Sequence, residues 1–337
     1  MGAPEYDPQT GEYVTPARNV VDGVTVLSLR VPGPMHAALV FRVGWADERL
    51  PVRGITHLVE HMALFSRSHG PNATHENGYV GCYFTGFTVS GTPDQTKAFL
   101  AEVTSNLSSL PMDRLPDEKR ILRTESQDRR IGSFKEVWSY RWGALGLGAA
   151  DYQEYGLRRL EAAEIADWAT SWFTANNAVV WLSGDVPDGL KLNLRSGERP
   201  VRELPESLDH DLPAVYELGN RGVALSLFGT AGRAAYLGAL VLDARVRSRV
   251  RYAESLAYAT DASYMPVGGG KSEILVAADS LSDHSLQAAE GSSRLSASLP
   301  KRDIGQRRWP RSLRTSNARG QAIAEATASS TTPPCVS

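Results

Sequence analysis

Three residues within five positions could do chemistry together: His57, Glu60 and His61, in the run His57-Leu58-Val59-Glu60-His61. On a helix, positions four apart lie one above the other with about 5–6 Å between their Cβ atoms. Both imidazoles can therefore reach one metal ion. Zinc takes imidazole and carboxylate ligands, and a catalytic zinc keeps a position for water. Glu60 falls on the same side, beside that water position, where a carboxylate can accept its proton. Residues 53–66 supply the helix, with Ile55, Leu58, Val59 and Met62 on the opposite, apolar side. The same spacing also arises by accident on solvated helices, so a third ligand has to come from elsewhere in the chain.

Glu125 is the candidate. Residues 116–131, PDEKRILRTESQDRRI, begin with Pro and two acids, as a helix N-terminus does. Glu118, Ile121, Leu122 and Glu125 share one face of that helix. Carboxylates on an apolar face are costly unless paired or bound to a cation. Glu125 would ligate, and Glu118, two turns earlier, would steer a ligand or the water from behind. The competing reading is a charged, solvated helix, since Arg120, Arg123, Arg129 and Arg130 lie in the same stretch.

Two such helices need a scaffold. The 337 residues suffice for two domains of ordinary size. Lys and Arg total 36 against 38 Asp and Glu, so no bulk charge draws the chain to nucleic acid or a membrane surface. No apolar run reaches membrane-spanning length and no basic-then-apolar leader opens the chain, so a cytoplasmic location is expected. The two cysteines, Cys82 and Cys335, lie in unrelated settings and imply neither a disulfide framework nor a cysteine metal site.

Residues 24–31 and 36–43 read as strands, paired as a hairpin across Pro32-Gly33-Pro34. Residues 66–78 read as a polar loop, with His69 and His75 solvated. His36 reads as structural. Strands follow at 82–90 and 177–183, and helices at 93–110 and 160–175. Gly143–Gly148, GALGLG, lacks the Lys-Ser/Thr of a phosphate loop and reads as a flexible connection. The expected organisation is a metal-binding domain at 1–190, a Pro-, Gly- and charge-rich linker at 191–221, and a partial second domain at 222–290. That domain begins with a strand at 223–228 and a helix near 230–250. Strands at 256–264 and 272–279 follow, then a helix start near Asp283. Residues 291–337, rich in Ser, Arg, Pro and Ala without apolar periodicity, read as a disordered tail. The fold class is α+β: two related domains, each a mainly antiparallel sheet packed by helices, the second apparently truncated.

The H-x-x-E-H order is the inverzincin signature. It resembles the pitrilysin/insulinase family of zinc metallopeptidases, most of all the mitochondrial-processing-peptidase-like bacterial members. GITHLVEHMALF resembles that family's metal helix. EKRILRTE, Glu118 to Glu125, resembles its second motif, in which the last Glu is the third zinc ligand and the first supports it. NAVVWLSGD resembles the strand that ends the first domain. Arg251 and Tyr258 are similar to an Arg and a Tyr seven residues apart that hold substrate near the zinc. The likeness runs over about residues 15–290, with a shorter interval than usual between His61 and Glu125. Beyond it, the unpatterned tail stands where family members add helices and a strand, as after a truncation or frame change near residue 290.

The resemblance implies a zinc endopeptidase that hydrolyses extended peptides in an enclosed chamber. Zn²⁺ would sit on His57, His61 and Glu125, with Glu60 as general base. The peptide would add to a sheet edge, expected at residues 82–89. Arg251 and Tyr258 would reach across from another two-domain unit, in a homodimer or a heterodimer with a related subunit. The alternative is a catalytically inactive peptidase-like binding or assembly subunit, or a truncated product without function.

Overall fold

Short, largely apolar runs build the first sheet. In β4 (Val24–Ser28), β5 (Met35–Phe41) and β8 (Ala178–Leu182) every second side chain is buried, as the two-residue period of a strand with one covered face requires. Val24, Val26, Leu39, Phe41, Val180 and Leu182 form the inner layer. The structure, a computed structural model, describes residues 5–7, 12–65, 75–128, 135–152, 154–201, 204–208, 214, 222–280 and 292. A small ladder, β1 (Glu5–Asp7) with β2 (Glu12–Val14), precedes the sheet. The sheet itself has six strands in the order β3-β4-β8-β5-β7-β6, where β3 is Ala17–Val21, β6 is Glu76–Val80 and β7 is Thr85–Gly91.

The hairpin expected between 24–31 and 36–43 does not form. β8 lies between them, parallel to β4 and antiparallel to β5. The reason lies in the connection: Leu29 N–H bonds to Leu182 O at 3.0 Å and Val31 N–H to Ser183 O at 3.2 Å, which carries the chain across the end of β8. β4 makes its hairpin with β3 instead, through Asp22-Gly23, whose φ values of 48° and 83° are those of the two-residue turn favoured in hairpins. The expected edge is displaced as well. β7 is an inner strand, and the edge on that side of the sheet is β6.

Helices cover one face of this sheet. α2 (Pro93–Ser108) starts on a reciprocal cap: Gln95 N–H donates to Thr92 Oγ1 at 3.2 Å and Thr92 N–H to Gln95 Oε1 at 2.8 Å. Its Phe99, Leu100 and Val103 pack with Leu58, Val59 and Met62 of α1 (Ile55–Leu64) and Ile165 of α5 (Ala162–Trp172). Phe41 ties strand layer to helix layer, its ring centroid 4.9 Å from Phe173 and 6.2 Å from Phe87. α3 (Leu115–Asp128) packs against α1.

The second sheet is antiparallel, in the order β10-β11-β9 (β9 Val223–Thr230, β10 Ala257–Gly268, β11 Lys271–Ser280). α6 (Arg233–Val246) lies on it through Leu242 and Val246, and runs on into a π-helix at Arg247–Ala253. Both sheets with their helices make the α+β architecture read from the sequence. An aromatic cluster joins the halves: Trp45, Trp138 of α4 (Lys135–Trp142) and Trp142 pack with Phe228, Met265 and Val267. GALGLG is not a flexible connection. Residues Gly146–Asp151 form a 3-10 helix with Leu147 and Ala149 in the interior. A Cβ on Gly148 would come within 2.1 Å of Gly143 O, so this glycine is there for close packing. The loop with His69, the helix start near Asp283 and the tail beyond Ser292 lie outside the described residues.

Candidate metal centre

The helix that carries His57, Glu60 and His61 is not an ordinary surface helix. α1 is covered on nearly all sides, with Ile55, Thr56, Leu58, Val59, Glu60, Met62 and Ala63 buried. α2, α5 and the sheet take its apolar side, while β6 and α3 close over much of the polar one. This leaves the three polar side chains in a shallow recess, His57 at 12%, His61 at 21% and Glu60 at 6% side-chain exposure. β6 passes directly over Glu60, and a Cβ on Gly78 would lie 1.8 Å from Glu60 Oε1.

α3 delivers Glu125 to the same point. Glu125 Oε2 is 3.4 Å from His61 Nε2 and 3.9 Å from His57 Nε2. One donor atom from each of His57, His61 and Glu125 lies within 4.8 Å of the others. Ligands held tetrahedrally at roughly 2.0–2.1 Å from one ion stand about 3.3 Å apart, so this group fits a metal ion with only small adjustments. Glu60 Oε2 lies 3.8 Å from each Nε2, beside the donor triangle and not part of it.

Both imidazoles are held from behind. His57 Nδ1 is 2.6 Å from Glu154 Oε1, and His61 Nδ1 is 3.3 Å from Glu118 Oε2. With Nδ1 donating to a carboxylate, Nε2 carries the lone pair a metal needs, and the ring is locked in place. Glu118 is 5% exposed and also faces Arg114 Nη2 at 3.4 Å. Its place on the buried side of α3, beside Leu122, is as expected. Ile121, expected on that face, is instead 44% exposed.

Two acidic residues of this site escaped the sequence reading. Glu154 sits in a turn 97 positions from His57, at φ 49°, and no spacing rule links it to the metal helix. Glu48 caps that helix from six residues before Gly54, its Oε2 accepting from Gly54 N–H at 2.9 Å and its Oε1 from Thr56 N–H at 2.9 Å. Its one sequence signal was a helix start at Gly54 with no capping side chain of its own. Burial pushes the Glu48 carboxyl up and the Arg53 guanidinium down, and their mutual attraction opposes both shifts.

Arg251 and Tyr258 are brought together in the second half. The Arg251 guanidinium lies 5.1 Å from the Tyr258 ring centroid and 5.2 Å from that of Tyr252, within cation–π range. Tyr258 is 79% exposed on β10. His75 is exposed at the start of β6, and His36 is exposed with its backbone N–H bonded to Ser183 Oγ at 2.7 Å. Among the described residues no helix is long and apolar enough to cross a membrane.

No protein-family model matches the sequence, and no curated protein is similar to it. Solved structures are similar in fold. A protease from Helicobacter pylori superposes with a TM-score of 0.66 over 92% of this chain and 86% of its own, at 15% identity. A peptidase M16 inactive domain from Pseudomonas fluorescens gives 0.64 over 92% and 84%, at 16% identity. Pitrilysin gives 0.61 at 15% identity over 88% of this chain, which spans 36% of pitrilysin's. The chain thus has the fold of the M16 peptidases, and within that fold it gathers the two histidines of its H-x-x-E-H pentad and Glu125 at one point.

Proposed function

We propose that this chain is a zinc-dependent endopeptidase acting on extended peptides. The observation that carries the reading is the donor set His57, His61 and Glu125 within 4.8 Å, with Glu60 beside it. Two imidazoles and a carboxylate are a catalytic zinc's ligands, and the ion would supply Lewis acidity to a water and to the scissile carbonyl. Glu60 accepts the proton of the attacking water and returns it to the leaving amine. Glu154 and Glu118 hold the imidazoles in the ligating tautomer. The substrate pairs with the open edge of β6, whose backbone passes over Glu60, so strand addition brings a peptide bond to the carboxylate. Arg251 and Tyr258 anchor substrate from a partner unit, in a homodimer or a heterodimer with a related subunit, and complete an enclosed chamber.

A second reading has one observation in its favour: a similar structure is described as an inactive domain. On that reading the chain is a peptidase-like binding or assembly subunit. Zinc content and cleavage of a quenched-fluorescent peptide, measured for the wild type and Glu60→Gln, separate the two. The enzyme keeps zinc in both proteins and loses cleavage in the variant. Wild type that holds zinc and cuts nothing, with or without a co-purified partner, supports the inactive subunit.

A further inference from the structure

The metal helix is started by a carboxylate that lies outside the metal motif. The first N–H groups of a helix have no intrahelical partner. α1 begins after Gly54, which is left-handed at φ 98° and offers no side-chain cap. Glu48, 3% exposed, spends one oxygen on Gly54 N–H and the other on Thr56 N–H, the residue before His57. Its charge is matched inside the protein by Arg53, whose Nη1 is 3.2 Å from Glu48 Oε2. Arg53 is itself fixed, lying 4.7 Å over the Trp45 ring and donating to Trp45 O.

The same corner sets the position of Glu154. Arg53 O accepts from Gly156 N–H at 2.9 Å. A Cβ on Gly54 would lie 3.0 Å from Glu154 Cα, so the two segments are in contact there. The start of α1 and the carboxylate that holds His57 Nδ1 are therefore built on one frame.

We propose that Glu48 is a positioning residue of the metal site. It touches no ligand. It acts through the Gly54 and Thr56 amides, setting the height and rotation of α1 and so the aim of His57 toward Glu125 and Glu154. The proposal rests on the metal-site reading above. A buried cap also stabilises the fold, so the test must separate geometry from stability.

The experiment uses the full chain and Co²⁺ alone as the probe, whose visible absorption reports coordination geometry and whose affinity is read by titration. Glu48→Gln presents an amide N–H₂ where an acceptor is needed and removes the carboxylate that pairs with Arg53. Glu48→Asp keeps the charge but is one methylene short, and serves if the glutamine variant does not fold. Val24→Ala, in the interior on β4 and far along the sheet from β6, serves as a comparison that lowers the melting temperature from a site outside α1 and its cap. The expected result is a changed Co²⁺ spectrum and about tenfold weaker binding in the Glu48 variants, with wild-type spectrum and affinity in Val24→Ala. Glu48 variants with wild-type spectrum and affinity would overturn the proposal, as would equal changes in Val24→Ala. Wild type that takes up no Co²⁺ would overturn the metal reading itself, and this one with it.

Discussion

Replacing Glu154 should weaken metal binding more than any other change that leaves the ligands in place. Its Oε1 is 2.6 Å from His57 Nδ1, and its side chain is 8% exposed. A hydrogen bond to a charged group of this kind contributes roughly 1.5–3 kcal/mol. At about 1.4 kcal/mol per decade, that is ~10–150-fold in affinity. Glu154→Gln retains a neutral acceptor for Nδ1–H and should bind zinc about tenfold more weakly. Glu154→Ala removes the acceptor and should approach 100-fold, the upper range for residues behind a metal ligand. Glu118→Gln should cost less than Glu154→Gln, because the His61 contact is longer, at 3.3 Å, and Arg114 shares the carboxylate. Competition against a chromophoric zinc chelator measures all three constants, and melting temperatures without metal exclude gross unfolding. Glu154→Ala binding zinc within twofold of wild type would refute the argument that Glu154 fixes His57. A larger loss for Glu118→Gln than for Glu154→Gln would refute the ranking.

Glu60→Gln should leave zinc affinity nearly unchanged and lower peptide cleavage by about 10²–10⁴-fold, read as kcat in the quenched-peptide assay. Phe41→Ala removes a fully buried ring that touches Phe87 and Phe173; urea melts should show a loss of about 3–5 kcal/mol, and a loss under 1 kcal/mol would contradict its place in the core. Glu273, buried on β11, accepts from Trp138 Nε1 at 2.8 Å and from Ser226 Oγ. Burial holds its carboxyl above the ordinary glutamate value, so the folded state favours the protonated form. Its contribution is complete below that ordinary value and is lost as pH rises through the raised one. Glu273→Gln does not titrate, so its melting temperature relative to wild type should climb with pH across that window; a difference independent of pH would sink the idea.

The pentad was legible because its logic is local. A helix fixes the i, i+3, i+4 relation of His57, Glu60 and His61 whatever surrounds it. Glu118 and Glu125 were paired with it by the cost of carboxylates on an apolar face, an argument that holds for the buried Glu118 and not for Glu125, whose side chain is 43% exposed. Strand existence was legible from short apolar runs bounded by turn residues in β4, β5 and β8, but strand order was not. Leu29 and Val31 carry the chain past β8 through hydrogen bonds to residues some 150 positions away in sequence, which no local pattern encodes. The open edge moved from 82–89 to β6 for the same reason: pairing partners decide which strand lies outside. GALGLG looked mobile by composition, but Gly146–Asp151 form a 3-10 helix packed against α4.

By itself, then, the sequence determined which side chains can share a helix face and hence which chemistry is possible. Only the tertiary structure decided how that face is held. Glu154 reaches His57 from a turn, Glu48 starts the helix through backbone amides, and β6 lies over Glu60. Each depends on a close approach between distant segments, set by packing and by the need to satisfy buried polar groups, and neither cause has a fixed spacing along the chain.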